Sequence, residues 1–201
     1  QWTICYVVKT MREKLRNMVF LSVVIAMSIF STETSAKSSD SKEINLPEPA
    51  MKGEMSLEEA IKLRRSIRRY SDEPMKLQEV SQLLWAAQGI TKAGRFRTVP
   101  SAGALYPLEL YVLAGNVEGL KPGVYKYRPH SHQLIKISGG DKRYDLSVAA
   151  LDQIFFEKAA ITIVITAVYE RVTSKYGQRG IMYVHEEAGH CGQNIALQAV
   201  A

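Results

Sequence analysis

Two short runs separated by about thirty residues carry side chains that could do chemistry together. Arg64-Arg65-Ser66-Ile67-Arg68-Arg69-Tyr70 offers guanidinium forks beside a hydroxyl. Such forks match phosphate oxygens bidentately, and the hydroxyl adds a short neutral donor. The second run, Pro100-Ser101-Ala102-Gly103, has no bulky side chain. Its backbone N–H groups could approach the polar edge of a ring system while Pro100 and Ala102 cover the face. Together the runs point to a nucleotide-like cofactor, phosphate on the first and ring on the second. Plainer readings stay open: arginines favour a helix C-terminus electrostatically, and a proline-bounded turn needs no ligand.

The flanking patterns say what must position these runs. Ser56 with Glu59 reads as a capping box, and Leu57, Ala60, Ile61 and Leu63 form an apolar stripe that ends at the arginines. After the turn Ser71-Asp72-Glu73-Pro74, Leu77, Val80, Leu83, Leu84 and Ala87 recur at helical spacing until Gly89. Residues 91–107 read as one long loop, and loops of that length in a compact domain usually carry function. Strands are predicted over Glu109–Leu113, Gly123–Tyr127, Gln133–Ile137 and Ala160–Val168, with Arg128–His132 as a hairpin turn, and a helix over Lys142–Leu151. From Ile181 onward, Ile181, Val184, Ala188, Cys191, Ile195 and Ala199 mark an amphipathic helix reaching Ala201. Its apolar, uncapped finish predicts that the sequence is a fragment of a longer product.

Composition sets the outer bounds. With 201 residues, 46% of them hydrophobic, the chain can bury one sizeable core. The formal charge is +6, and setting aside four basic and two acidic residues within 1–36 leaves +4, too small an excess to require a nucleic acid. Met11 opens a basic stretch, followed by an apolar run of 13 residues from Met18 to Phe30 and then Thr34-Ser35-Ala36. That pattern predicts a cleaved export signal within 1–36, because a membrane span wants roughly 20 apolar residues. The mature protein is accordingly expected in the periplasm or outside the cell, with no stable membrane span. Residues 37–55 read as a solvated linker and 56–201 as the folded domain. Of the two cysteines, cleavage would remove Cys5, and Cys191 reads as a buried structural thiol.

Other motifs are excluded. His185 and His190 are five apart, about 140° around a helix, so they cannot share a metal from one face. His130 and His132 read as solvated hairpin residues, and no metal ligand set is assigned. No phosphate-binding Walker loop, dinucleotide fingerprint or nucleophile elbow occurs.

At this point the sequence resembles the nitroreductase superfamily of flavin enzymes, and within it the SagB-type dehydrogenases. Arg64-Arg65-Ser66-Ile67-Arg68 is similar to the family's flavin-phosphate motif and Pro100 to Pro107 to its second signature. Glu187-Ala188-Gly189-His190 with Gln193-Asn194 is similar to its central helix. The resemblance implies an α+β fold with a mixed central sheet flanked by helices and one long central helix. It implies FMN as cofactor, with Arg64, Ser66 and Arg68 at the phosphate and ribityl end, Arg65 nearby, and Pro100, Ser101, Ala102 and Gly103 along the isoalloxazine ring. It further implies a homodimer binding FMN between its subunits, and hydride transfer through flavin N5 between a reduced donor and a small-molecule or peptide substrate. Glu187, His190 and Asn194 are given structural roles, no catalytic residue is assigned, and later flavin contacts are expected beyond Ala201. Some azoline-oxidising members carry a Lys-Tyr catalytic pair; Lys175-Tyr176 has that dipeptide but receives no role from the sequence. The alternative function is a non-catalytic binder of flavin or another phosphorylated ligand on the same fold.

Overall fold

The computed structural model describes residues 3–6, 43–92 and 96–201. The predicted signal and its cleavage site lie outside the described residues. The fold is α+β, as expected. Among the described residues its sheet has six strands, β1 (Thr3–Tyr6), β2 (Glu43–Asn45), β5 (Leu108–Ala114), β6 (Gly123–Arg128), β7 (Gln133–Gly139) and β8 (Ile161–Ala167), ordered β1-β8-β5-β6-β7-β2. A small hairpin pairs β3 (Ile90–Lys92) with β4 (Phe96–Arg97). The helices are α1 (Leu57–Leu63), α2 (Leu77–Gln88), α3 (Arg143–Ala149), α4 (Phe155–Lys158), α5 (Glu170–Tyr176) and α6 (Arg179–Gln198).

Strands β5 and β8 both lie inside the sheet, paired antiparallel from Leu108↔Ala167 to Ala114↔Ile161. Both are rich in β-branched or aliphatic residues, and Leu110, Val112, Ile161, Ile163 and Ile165 are each no more than 2% exposed. Near-continuous apolar strands of this kind belong where both faces are covered. Helix α6 supplies much of that cover: it packs against α2, α5 and the β1–β5 part of the sheet, burying Val184, Ala188, Cys191 and Ile195. Burial pushes the Cys191 thiol up to about 12 even though Gln88 bonds it, so it stays a protonated core residue as predicted. Helix α2 ends at Gly89 for want of space rather than for a left-handed turn, because a Cβ there would collide with the Trp85 ring.

Two expectations need correction, and two features go beyond what the sequence predicts. Residues 37–55 are not all solvated linker: Glu43–Asn45 pairs with β7, Leu46 is 7% exposed, and the Ala50 N–H donates to Gln82 Oε1 at 2.8 Å. An edge strand needs backbone pairing more than apolar side chains, so composition conceals it. Residues 3–6 also lie in the sheet, with β1 running parallel to β8. The stripe on α1 is not core, since only Ala60 is buried while Leu57, Ile61 and Leu63 are 62%, 56% and 48% exposed.

The second correction is His132. It is half-buried, with Nε2 at 2.7 Å from Ser81 Oγ and 3.1 Å from the Pro47 carbonyl, and Nδ1 at 2.9 Å from the Tyr127 hydroxyl. Ser81 donates its hydroxyl proton to Pro47. A neutral ring with its proton on Nε2 therefore satisfies every group, tying the hairpin turn to residues 43–50 and α2. Burial pushes the His132 pKa down, outweighing the opposite pull of the Pro47 carbonyl and Glu48. The unfolded chain, with an ordinary value of about 6.5, thus binds more protons than the native one just below that pH. Stability is expected to hold above pH ~6.5 and to fall as pH drops through the window below it, whereas His132→Gln flattens that slope. Urea midpoints between pH ~7.5 and ~5.5 measure it; equal slopes in both proteins would refute the assignment.

Candidate cofactor site

The chain enters the site from β4 through Val99, which is 1% exposed, and turns over Ser101 before joining β5. One buried acid shapes this turn. Glu187, in the middle of α6 and 4% exposed, accepts from Ser101 Oγ at 2.9 Å and from the Ala102 N–H at 2.9 Å through the same oxygen, Oε1. Ser101 Oγ in turn accepts the Tyr106 N–H at 2.8 Å. Burial pushes the Glu187 carboxyl up, outweighing those two hydrogen bonds and the charges of His190 and Arg97 that act the other way. Asn194, two turns further along α6, donates to the carbonyls of Ala86 at 3.1 Å and Thr98 at 3.3 Å. Both residues hold structure, as the sequence reading assigned.

The turn is strained. Gly103, Ala104 and Tyr106 have φ of 63°, 55° and 45°, and a concentration of left-handed residues with side chains points to a site where geometry is imposed. Tyr106 is pinned by the Arg171 Nη1 bond to its carbonyl at 3.2 Å and by the Arg97 guanidinium 4.4 Å from its ring centroid. Gly103 has a second reason to be glycine: a Cβ would lie 2.8 Å from the Tyr176 hydroxyl and 3.0 Å from Lys175 Nζ. The Lys175-Tyr176 dipeptide, left without a role by the sequence, therefore sits directly on the turn.

The expected use of the turn's backbone needs refinement. The Ala102 N–H is spent on Glu187, Ala104 donates to the Ser101 carbonyl, Leu105 to the Ala102 carbonyl and Tyr106 to Ser101 Oγ. The N–H groups of Ser101 and Gly103 have no acceptor among the described residues. Two donors two residues apart, with no bulky side chain between them, suit the hydrogen-bonding edge of a flat ring.

In the other run, Arg65 Nη1 donates to the carbonyls of Lys62 and Arg64, both at 2.8 Å, so this arginine closes α1. The side chains of Arg64, Ser66 and Arg68 make no hydrogen bond or ion pair among the described residues; Arg68 lies over the Phe155 ring, 5.7 Å from its centroid. Cations left without carboxylates suit a phosphate.

The two runs do not meet within one chain. The Asp72 carbonyl, just past the arginines, accepts from Asn116 Nδ2 at 3.0 Å, and Asn116 follows the Ala114 end of β5. Phe155 precedes Ile161, which pairs with that same end. The strained turn leads through Pro107 into Leu108 at the opposite end, so the length of β5, about 20 Å, separates them. Two concavities of the described residues do not join them. One of about 590 Å³ is lined by residues such as Asp72, Asn116, Arg143 and Tyr144, and one of about 310 Å³ by residues such as Arg97, Glu109, Lys126 and Arg171.

Residues 61–201 match the model of the nitroreductase family. The chain belongs to the nitroreductase family. A Methanocaldococcus jannaschii protein named as a nitroreductase is 46% identical over 162 residues, covering 81% of this chain and 80% of the relative. The microcin B17-processing protein McbC of Escherichia coli is 32% identical over 108 residues, 51% of this chain and 40% of the relative. Among solved structures, one named as a nitroreductase from Ralstonia eutropha superposes with a TM-score of 0.67 at 28% identity, covering 82% of this chain and 74% of that one. The microcin synthetase complex of E. coli shares the fold, with a TM-score of 0.53 at 20% identity over 94% of this chain and 70% of that one.

In this member of the nitroreductase family, Glu187→Ala is expected to cost about 2 kcal/mol by leaving Ser101 and Ala102 without their shared acceptor. Gly103→Ala should cost about 1–2 kcal/mol from its positive φ and the contact with Tyr176. Chemical denaturation measures both, and a change below about 0.5 kcal/mol in either would contradict the geometry.

Proposed function

We propose that this oxidoreductase works with FMN held between two copies of the chain, the arginine run of one facing the strained turn of the other. The observation that carries the reading is the turn itself: two backbone donors with no acceptor among the described residues, in a strained, side-chain-poor bend that a buried acid holds rigid. The separation of the two runs along β5 supports a composite site. So do the exposed apolar side chains of α1, together with Ile67 at 50% and Met182 at 53% exposure, which are apolar area that a second copy would cover.

The residues fit the cofactor. Arg64, Ser66 and Arg68 would hold the phosphate and ribityl end, Pro100 to Gly103 would carry the ring, and Arg65 contributes mainly by ending α1. When bound, FMN supplies the hydride chemistry, and the protein supplies position and electrostatics. Glu187 keeps the turn fixed, Tyr106 and Val99 exclude water behind it, and Lys175 and Tyr176 place an ammonium and a phenol where a substrate would lie.

A second, narrower reading is a SagB-type dehydrogenase oxidising azoline rings in a peptide. The location of Lys175 and Tyr176 on the turn and the likeness to a microcin-processing protein favour it over general reduction of nitroaromatics or quinones. Export is also part of the proposal, supported by the sequence pattern of residues 11–36; cleavage after Ala36 would remove β1 from the sheet edge, and the mass of the secreted chain tests it.

The purified protein is expected to be a yellow dimer that releases FMN on denaturation, and Arg68→Ala should lower flavin occupancy at least several-fold without unfolding the chain. Absorbance, mass spectrometry of the released ligand and sedimentation measure this. A colourless protein, or undiminished occupancy in the variant, would overturn the assignment.

A further inference from the structure

We propose that the concavity of about 310 Å³ behind Tyr106 is an oxyanion site, holding a carboxylate or phosphate group of the molecule that exchanges electrons at the turn. Its assignment to a redox substrate rests on the function proposed above; the anion site itself does not.

The lining is unbalanced in charge. Arg97, Lys126, Arg128 and Arg171 face it with Glu109 as the one acid. Glu109 takes Lys126 at 2.8 Å and Arg171 at 2.7 Å on its two oxygens, so one carboxylate serves two cations. Burial raises the Glu109 carboxyl, but those two partners more than reverse this and hold it low. Arg128 reaches Glu43 at 3.2 Å on the exposed rim.

Arg97 is the decisive residue. It is half-buried, it stacks on Tyr106, and Nη1 donates to the amide oxygen of Gln88 at 2.8 Å. No carboxylate lies within ion-pair distance among the described residues, and residues 93–95, Ala-Gly-Arg, contain none. Glu187, whose charge it feels, is committed to Ser101 and Ala102. A guanidinium has five donors in a planar fork, and keeping it from water without an anion is costly. Burial lowers its pKa and the charge of Arg171 adds to that effect, outweighing the opposite pull of Tyr106, Tyr127 and Glu187. An oxyanion in the concavity would accept the spare donors of Arg97 and meet Arg171 and Lys126 as well.

Position links this site to the turn. Arg171 donates to the Tyr106 carbonyl and stands one helical turn before Lys175 on α5, so both point to the same side. A molecule anchored at Arg97 and Arg171 therefore has its other end beside Gly103, Lys175 and Tyr176.

The test titrates the full chain carrying Arg68→Ala, which disables the phosphate forks at the far end of β5, with inorganic phosphate and separately with acetate at constant ionic strength. Calorimetry should show saturable binding of at least one, and which one names the group. Adding Arg97→Gln should weaken it at least tenfold, and Arg171→Gln, an independent variant should the first fail to fold, at least several-fold. The change Lys142→Gln, at a surface lysine outside the concavity that pairs with Asp145, should alter it less than twofold. No saturable binding of either anion, or binding that folded Arg97→Gln and Arg171→Gln variants retain, overturns the proposal. No flavin is needed, so a colourless protein that still binds the anion through Arg97 would remove the flavin reading and leave this site standing.

Discussion

A carboxylate buried inside a protein is tolerated only where hydrogen bonds replace its water, and Glu187 meets that condition with a hydroxyl and a backbone N–H from a single turn. The bond works in both directions. It satisfies the acid, and it fixes a bend whose backbone would otherwise relax out of its left-handed conformations. Ser101 relays the constraint to Tyr106, and Tyr106 relays it to Arg97 and Arg171. A helix face, a turn and a cationic wall are thereby set relative to one another by one oxygen atom of one side chain.

The sheet decides what a single chain can assemble. Because β5 runs from the strained turn at one end to Asn116 and the arginine segment at the other, the parts suited to a ring and to a phosphate belong to opposite ends of the same strand. Two copies of the chain resolve this without bending the sheet, and the apolar side chains that α1 leaves in solvent lie next to the arginines, where such a contact would form.

How far the sequence could be read follows from what each signal encodes. The strands at Leu108–Ala114 and Ile161–Ala167 and the helix through Val184, Ala188, Cys191 and Ile195 were readable because their apolar periods match their burial. Glu43–Asn45 was missed because edge pairing engages backbone rather than side chains, and Phe155–Lys158 because four residues carry no period. The stripe on α1 was read correctly as apolar, yet periodicity cannot say which molecule covers it. The two chemical runs were readable from residue type, but their separation depends on which end of β5 each adjoins, information that exists only in the register. Arg97 carried no signal at all: a lone arginine in a loop becomes distinctive only when its surroundings hold no acid.

Gly103 and Tyr176 compete for one small volume. The size of the side chain at position 103 and the presence of the phenol at position 176 are therefore not independent traits. A lineage that gains a methyl group at the first position must withdraw the aromatic hydroxyl at the second, so the two sites should drift together, and a change of reaction at this turn would require paired rather than single substitutions.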